Sequence, residues 1–181
     1  HLYTHGIFKA GLFLTAGSVI HYLHHQKATH DLDAQSLNQM GGLRKQLPLS
    51  FLAYVIFGAG MLGIPFSSGF YSKENIAGFL WQSAEHSVYA NYYYVLLAAL
   101  ALGMVLTASY MCRQTYLIFL GQNRGGYTFE KGHTEWLQIL PISLLIFLSL
   151  FVWISMNPMD SEHSVFMAFF HLENYHIPGF W

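Results

Sequence analysis

One long apolar run, interrupted by helix-breaking residues, most limits what this chain can fold into. From Leu49 to Trp81 there are roughly 33 residues with little charge, whereas a straight helix needs about 20 to cross a bilayer. Gly63, Pro65 and Gly69 lie near the middle of this run. A proline removes a backbone donor and clashes with the preceding helical turn. The pattern therefore predicts a discontinuous transmembrane helix, broken near residues 65–69.

Two adjacent ionisable residues, Lys73 and Glu74, follow this predicted break. Irregular backbone at membrane depth is tolerated only where protein buries it or where it lines a wet cavity. An ionisable residue there suggests a functional site. Neighbouring helix residues point about 100° apart, so these two side chains need not pair with each other. We expect unpaired backbone groups at the break, facing protein or water. In the alternative interpretation the helix ends at Pro65, and Lys73 caps a second, interfacial helix.

The composition indicates an integral membrane protein. Of the 181 residues, 54% are hydrophobic and only 9% are charged, whereas soluble domains carry about 25% charged residues. The formal net charge of −1 excludes the basic footprint of a nucleic-acid-binding protein. A single cysteine, Cys112, excludes a disulfide within the chain. The chain opens inside an apolar helical pattern without Met, so we expect it to be part of a longer protein.

Four membrane segments are predicted, and the fold class is therefore an all-α, polytopic transmembrane helix bundle with one discontinuous helix. The single membrane domain is divided into spans 1–23, 49–81 (broken near 65–69), 92–120 and 136–156, followed by an outer-side tail, 157–181. The two loops that share a side carry the basic residues Lys27, Arg44, Lys45, Arg124 and Lys131. The positive-inside rule places these loops on the inner side. The histidines of the tail lack tight metal-ligand spacing and are interpreted as surface or interfacial residues.

Three ionisable residues lie on one face of the first segment. His1, His5 and Lys9 are spaced four apart, which stacks them along the helix. Histidine titrates near neutral pH and burial favours the uncharged form of lysine, so such a row can pass a proton. Two alternatives stay open. In one, His1 and Tyr3 are interfacial and only Lys9 lies deep; in the other, His1 and His5 bind a metal or haem. No residue of the predicted spans completes a metal site.

A further cation, Arg113, lies in the third segment about two helical turns from its inner end. We interpret it as a residue whose side chain extends along the helix to the interface, with its charged group in the aqueous phase. The alternative is a place in a proton relay.

Three ordered motifs resemble the antiporter-like subunit family of respiratory complex I, called chain 5 in mitochondria and chain L in bacteria. They are HLYTHGIFKAGLFLTAGSVIH, MGGLRKQLPLS and GIPFSSGFYSKENI, and the later stretch YMCRQTYLIFLGQ is similar as well. The resemblance is strong over residues 1–122 and rests on hydropathy beyond them. The chain departs from the family at Asn75, where Glu or Asp is frequent, and at Phe66, where a second proline is common.

The resemblance implies a proton-translocating subunit that couples NADH:quinone electron transfer to proton pumping. It assigns His1, His5 and Lys9 to a central hydrophilic axis, and Lys73 with its acidic neighbour Glu74 to the terminal proton route. It implies no catalytic, cofactor-binding or metal-binding residue in this chain. Flavin, iron–sulfur clusters and quinone are expected in partner subunits, and the other partners are membrane-arm subunits, lipid and protons. The expected location is a bacterial cell membrane, with a mitochondrial inner or thylakoid membrane as alternatives.

Two other functions stay open. Subunits of multisubunit sodium/proton antiporters share these motifs, and sodium-dependent activity would favour that class. A non-pumping structural subunit would use its polar residues only for contacts between subunits. Loss of pumping without loss of assembly on substitution of Lys73 would exclude the structural role.

Overall fold

The computed structural model describes residues 2–26, 33–65, 67–128 and 136–155. These residues form helices and no β-strand, which confirms the all-α class. The helices are α1, Leu2–His24; α2, Pro48–Leu62; α3, Ser68–His86; α4, Ala90–Thr115; and α5, Trp136–Ser155. A 3₁₀ turn, Leu43–Lys45, precedes α2, and a π-helical turn, Tyr116–Leu120, ends α4. His1 and the predicted tail lie outside the described residues.

Helix α2 is the central element of the bundle. It contacts α1, α3, α4 and α5, while α1 also packs against α5 and α4 packs along α3. Pro48 occupies the first turn of α2, where its missing N–H has no intrahelical partner to lose. Side chains of α1, α2 and α5 form an apolar core of Phe8, Ala53, Phe57, Met61 and Ile142.

Glycines let α1 and α2 approach each other closely. A Cβ added at Gly11 would overlap the ring of Phe57, and one added at Gly60 would overlap the ring of Phe8. Each phenylalanine thus fills a notch in the facing helix, and the two pairs show that the helices run antiparallel. Small residues at such contacts are typical of helix packing in membranes.

The two predicted inner loops pack on each other. We call the inner-end junction the region formed by residues 33–47 and 116–127. The Arg124 guanidinium donates hydrogen bonds to the carbonyl oxygens of Leu37 (3.1 Å), Asn38 (3.1 Å) and Leu117 (2.9 Å). One side chain therefore ties the loop before α2 to the π-helical turn after α4.

The π-helical turn of the junction is anchored on α2. Phe119 is 1% exposed, and its ring centroid lies 5.4 Å from that of Phe51 and 5.5 Å from that of Tyr54. The Tyr54 hydroxyl also donates a 2.7 Å hydrogen bond to Gln114 Oε1 near the end of α4. These contacts hold the inner end of α4 against the first turns of α2.

Two helices in the described part of the chain are long and apolar enough to cross a membrane, Thr4–His24 and Ala90–Leu120; two shorter apolar helices are Pro48–Leu62 and Leu137–Ser149. Helix α2 by itself is about 22 Å long, less than the roughly 30 Å hydrocarbon core. A crossing by the discontinuous helix therefore needs both α2 and α3, and α3 extends beyond Trp81 to His86. The count of four crossings stays a prediction.

Candidate functional site

The first half of the discontinuous helix ends at a glycine cap. Helix α2 stops at Leu62, and Gly63 adopts the left-handed conformation, with φ +74° and ψ +46°. The Gly63 N–H donates to the carbonyl oxygens of Ala59 (3.1 Å) and Gly60 (3.2 Å), and the Ile64 N–H donates to Ala59 O (3.1 Å). Glycine is the usual residue at this position because it adopts positive φ without steric cost.

The second half begins at a serine cap. Ser67 Oγ accepts a 3.2 Å hydrogen bond from the Phe70 N–H, as N-cap serines do. The Ser67 N–H donates to Ile64 O at 3.0 Å, which closes the turn that contains the exposed Pro65. The expectation of unpaired backbone groups is wrong for these N–H groups, because the two caps and the turn between them supply partners.

Gly69 sets the distance between the two halves. A Cβ added at Gly69 would overlap the carbonyl oxygen of Gly60. The backbone of α3 therefore touches the backbone of α2 directly, and no larger residue fits there without separating the helices. Of the predicted break residues, Gly63 supplies the positive φ, Gly69 the close approach, and Pro65 lies in the connecting turn.

Lys73 reaches back from α3 to the end of α2. Its Nζ donates a 2.5 Å hydrogen bond to Met61 O, one of the last four carbonyls of α2, which have no intrahelical partner. The aliphatic part of the side chain lies over the glycine cap, since a Cβ on Gly63 would stand 3.2 Å from Lys73 Cδ. Among the described residues, no carboxylate forms an ion pair with Lys73. The lysine thus bridges the break.

A cavity of about 10 Å³ lies beside this lysine. It has room for about one water molecule. Its walls are Thr4, His5, Phe8, Gly60, Met61, Gly69 and Lys73. Three helices contribute to it, so the fold brings His5 of α1 and Lys73 of α3 to one small space at the end of α2.

The other predicted site residues lie elsewhere. Lys9 is partly buried and Glu74 is exposed, and neither of them lines the cavity. Arg113 is exposed on α4. His1 lies outside the described residues. Of the predicted proton-route residues that the structure describes, only His5 and Lys73 line the cavity. The roles assigned to His1, Lys9 and Glu74 stay predictions.

Sequence reasoning missed three contributors to this site: Thr4, Gly60 and the carbonyl of Met61. A signal for Gly60 was present in the Gly-Ala-Gly stretch three residues before Gly63, because closely spaced glycines in a membrane helix mark close helix approach. Thr4 is adjacent to the predicted histidine row and is 3% exposed. No sequence signal identifies a backbone carbonyl as a ligand.

The site defines a class of membrane protein: an α-helical bundle in which an ionisable side chain bridges the break of a discontinuous helix. Residues 1–86 match the family described as NADH:quinone oxidoreductase/Mrp antiporter, transmembrane. This match to a family of transmembrane, antiporter-like subunits confirms the resemblance drawn from the motifs.

Relatives in bacteria and mitochondria extend the similarity over most of the chain. It is 38% identical to NADH-quinone oxidoreductase subunit L of Pseudomonas aeruginosa over 159 residues, 87% of this chain and 23% of the relative. It is 37% identical to NADH-ubiquinone oxidoreductase chain 5 of Elephas maximus over 159 residues, 87% of this chain and 24% of the relative. It is 35% identical to NADH-quinone oxidoreductase subunit L of Escherichia coli over 153 residues, which are 84% of this chain and 22% of the relative. The chain spans about a quarter of the length of these relatives.

Proposed function

We propose that this chain is part of a proton-translocating membrane subunit of an NADH:quinone oxidoreductase. In this proposal Lys73 and His5 pass protons at the break between α2 and α3. The observation that carries it is the cavity that both side chains line, within a family of membrane subunits. Redox chemistry belongs to partner subunits, which would hold the flavin, the iron–sulfur clusters and the quinone.

The chemistry of the cavity suits proton transfer. A lysine ammonium has three N–H donors, and the hydrogen bond to Met61 O uses one of them. A single water in the cavity would accept a hydrogen bond from Lys73 and exchange protons with His5. The neutral imidazole has a donor at one ring nitrogen and an acceptor at the other. A proton can therefore leave Lys73, cross one water and reach His5 without a hydroxide or free hydronium being stored.

The remaining predicted residues extend this route. Lys9 lies one helical turn from His5 on α1, and His1 would lie one turn in the other direction. Glu74 is exposed on α3, where it would meet a partner subunit of the membrane arm or water at the exit. The membrane is proposed to be a bacterial cell membrane, with the mitochondrial inner membrane or the thylakoid membrane as alternatives.

Two observations favour competing functions. The family description also names Mrp antiporters, which supports a sodium/proton antiporter subunit. The hydrogen bond from Lys73 to Met61 O supports a purely structural subunit, in which the lysine only caps α2. Each alternative makes its own prediction for the variants below.

The test is proton uptake by vesicles that contain the purified complex, measured alongside NADH oxidation. We expect Lys73→Ala to lose most proton uptake per NADH oxidised while the complex stays assembled. Lys73→Arg keeps a donor for Met61 O but stays protonated, so it should restore any lost stability without restoring pumping. Lys73→Glu should retain part of the pumping, because a carboxylate also carries a proton. Lys45→Ala, which removes an exposed lysine of the inner-end junction, is the matched control.

Three outcomes separate the functions. Full pumping by an assembled Lys73→Ala complex would show that Lys73 is structural. Recovery of both stability and pumping in Lys73→Arg would mean that the cap, and not proton exchange, is what pumping requires. Uptake that depends on a sodium gradient would assign the chain to an antiporter.

A further inference from the structure

Arg113 lies on the side of α4 that is turned away from the bundle. Two residues of α4 face the bundle. Met111 is 4% exposed, and its Cε would stand 3.0 Å from a Cβ added at Gly58 of α2. Gln114 accepts the hydrogen bond from Tyr54 of α2. At 100° per residue, Arg113 lies about 200° from Met111 around the helix. Its side chain is exposed and has no hydrogen bond or ion pair with any described residue.

The surroundings of Arg113 have the character of a membrane interface. Tyr110 and Tyr116, three residues before and after it, are 42% and 59% exposed, and residues three apart lie on one side of a helix. Arg113 is also about 10 Å from the end of the helical run at Leu120. Aromatic side chains concentrate at this depth, where the hydrocarbon meets the headgroups.

Towards the membrane centre, the same side of α4 is apolar. It exposes the large side chains Val95, Leu102, Val105 and Leu106. Contacts between membrane helices favour small residues, whereas large flexible aliphatic side chains are compatible with acyl chains. The surface therefore combines an acyl-compatible region with a cation at headgroup depth.

We propose that Arg113, between Tyr110 and Tyr116, binds the headgroup phosphate of an anionic phospholipid. A charge that faces hydrocarbon without a partner is costly, and the planar guanidinium donates two parallel hydrogen bonds to phosphate oxygens. The leaflet is the one on the side of the inner-end junction, where Arg44 and Lys45 are also exposed. Their charge favours an anionic over a zwitterionic lipid. This binding site does not depend on the proposed proton route.

The experiment uses the full purified complex in phosphatidylcholine vesicles that contain a small fraction of photoactivatable phosphatidylglycerol. After irradiation, mass spectrometry locates the labelled peptides. We expect labelling within the segment from Tyr110 to Tyr116. Arg113→Gln should reduce it about five-fold, the factor expected for one basic residue at an anionic surface. Arg113→Lys should retain part of it. Lys45→Gln removes an exposed basic charge on the same side of the membrane but outside the site, so it should reduce labelling less than Arg113→Gln does.

Several results would overturn the proposal. They are equal labelling of wild type and Arg113→Gln, equal labelling by photoactivatable phosphatidylcholine, or a cross-link from this segment to a partner subunit in place of lipid. If Arg113→Gln does not assemble, competition in the wild-type complex decides the question. Excess unlabelled phosphatidylglycerol should then suppress labelling, while excess phosphatidylcholine should not, and the reverse result refutes the site.

Discussion

The two ends of α2 are packed in opposite ways. At its beginning, large side chains fill the inner-end junction: Leu43 is 0% exposed, Leu47 is 2% exposed and Phe119 is 1% exposed. At its end, backbone meets backbone at Gly60 and Gly69, and a cavity for about one water remains. The first end is sealed by side-chain volume, whereas the second keeps space beside two ionisable side chains.

The polar groups at the two ends of α2 also differ: those at its beginning are packed among side chains, and those at its end border the cavity. In the junction, burial and then the nearby Asp33 carboxylate raise the pKa of the Tyr127 phenol, which keeps it neutral. Next to the junction, the Tyr54 hydroxyl is paired with the neutral amide of Gln114. At the other end of α2, Lys73 is bonded to a backbone carbonyl and borders the cavity with His5. The two ionisable side chains at this end thus border the space that remains there, whereas the phenol and the hydroxyl at the other end are packed among side chains.

The largest effect is expected at the sealed end. Phe119→Ala removes a ring held between Phe51 and Tyr54, and buried Phe→Ala changes cost about 3–5 kcal/mol. We expect little assembled complex on a native gel and early thermal inactivation of what remains. Phe79→Ala, at a position that is 67% exposed, is the control. Similar losses in both variants would contradict the distinction between the two ends.

The second-largest effect is expected at the end of α2, where its backbone touches the backbone of α3. Gly69→Ala places a methyl group against the carbonyl oxygen of Gly60, and such overpacking costs about 1–3 kcal/mol. We expect a lower temperature of inactivation and a loss of pumping, because Lys73 moves relative to Met61 O. Gly103→Ala is the control, since a Cβ at Gly103 meets nothing within 4 Å. Unchanged inactivation and pumping in Gly69→Ala would show that the close approach is not required.

The smallest effect concerns a single hydrogen bond. Tyr54→Phe keeps the aromatic packing against Phe119 but leaves Gln114 without its donor, which costs about 1 kcal/mol. We expect a shift in inactivation temperature that is well below that of Phe119→Ala, with pumping retained. Tyr92→Phe, at a position that is 62% exposed, should show no shift. A pumping defect in Tyr54→Phe would mean that the hydrogen bond between Tyr54 and Gln114 also acts on the cavity.

Several features of the site could be predicted because they depend on neighbouring residues in the chain. Helix-breaking residues at Gly63 and Pro65 predict an interruption, and the structure has non-helical residues there. Local pattern reading also failed once. We expected unpaired backbone groups at the break. The glycine cap at Gly63 and the serine cap at Ser67 were visible in the sequence, and they supply partners to the N–H groups of Gly63, Ile64 and Phe70.

The sequence by itself determined the helical class, the position of the break and the ionisable residues near it, because hydropathy, periodicity and proline geometry act over a few residues. Only the tertiary structure decided that Lys73 bonds to Met61 O, twelve residues earlier, and that His5 borders the cavity while Lys9 does not. Those contacts depend on the direction in which α3 leaves the break and on how closely Gly60 and Gly69 let three helices approach. No local pattern encodes that direction.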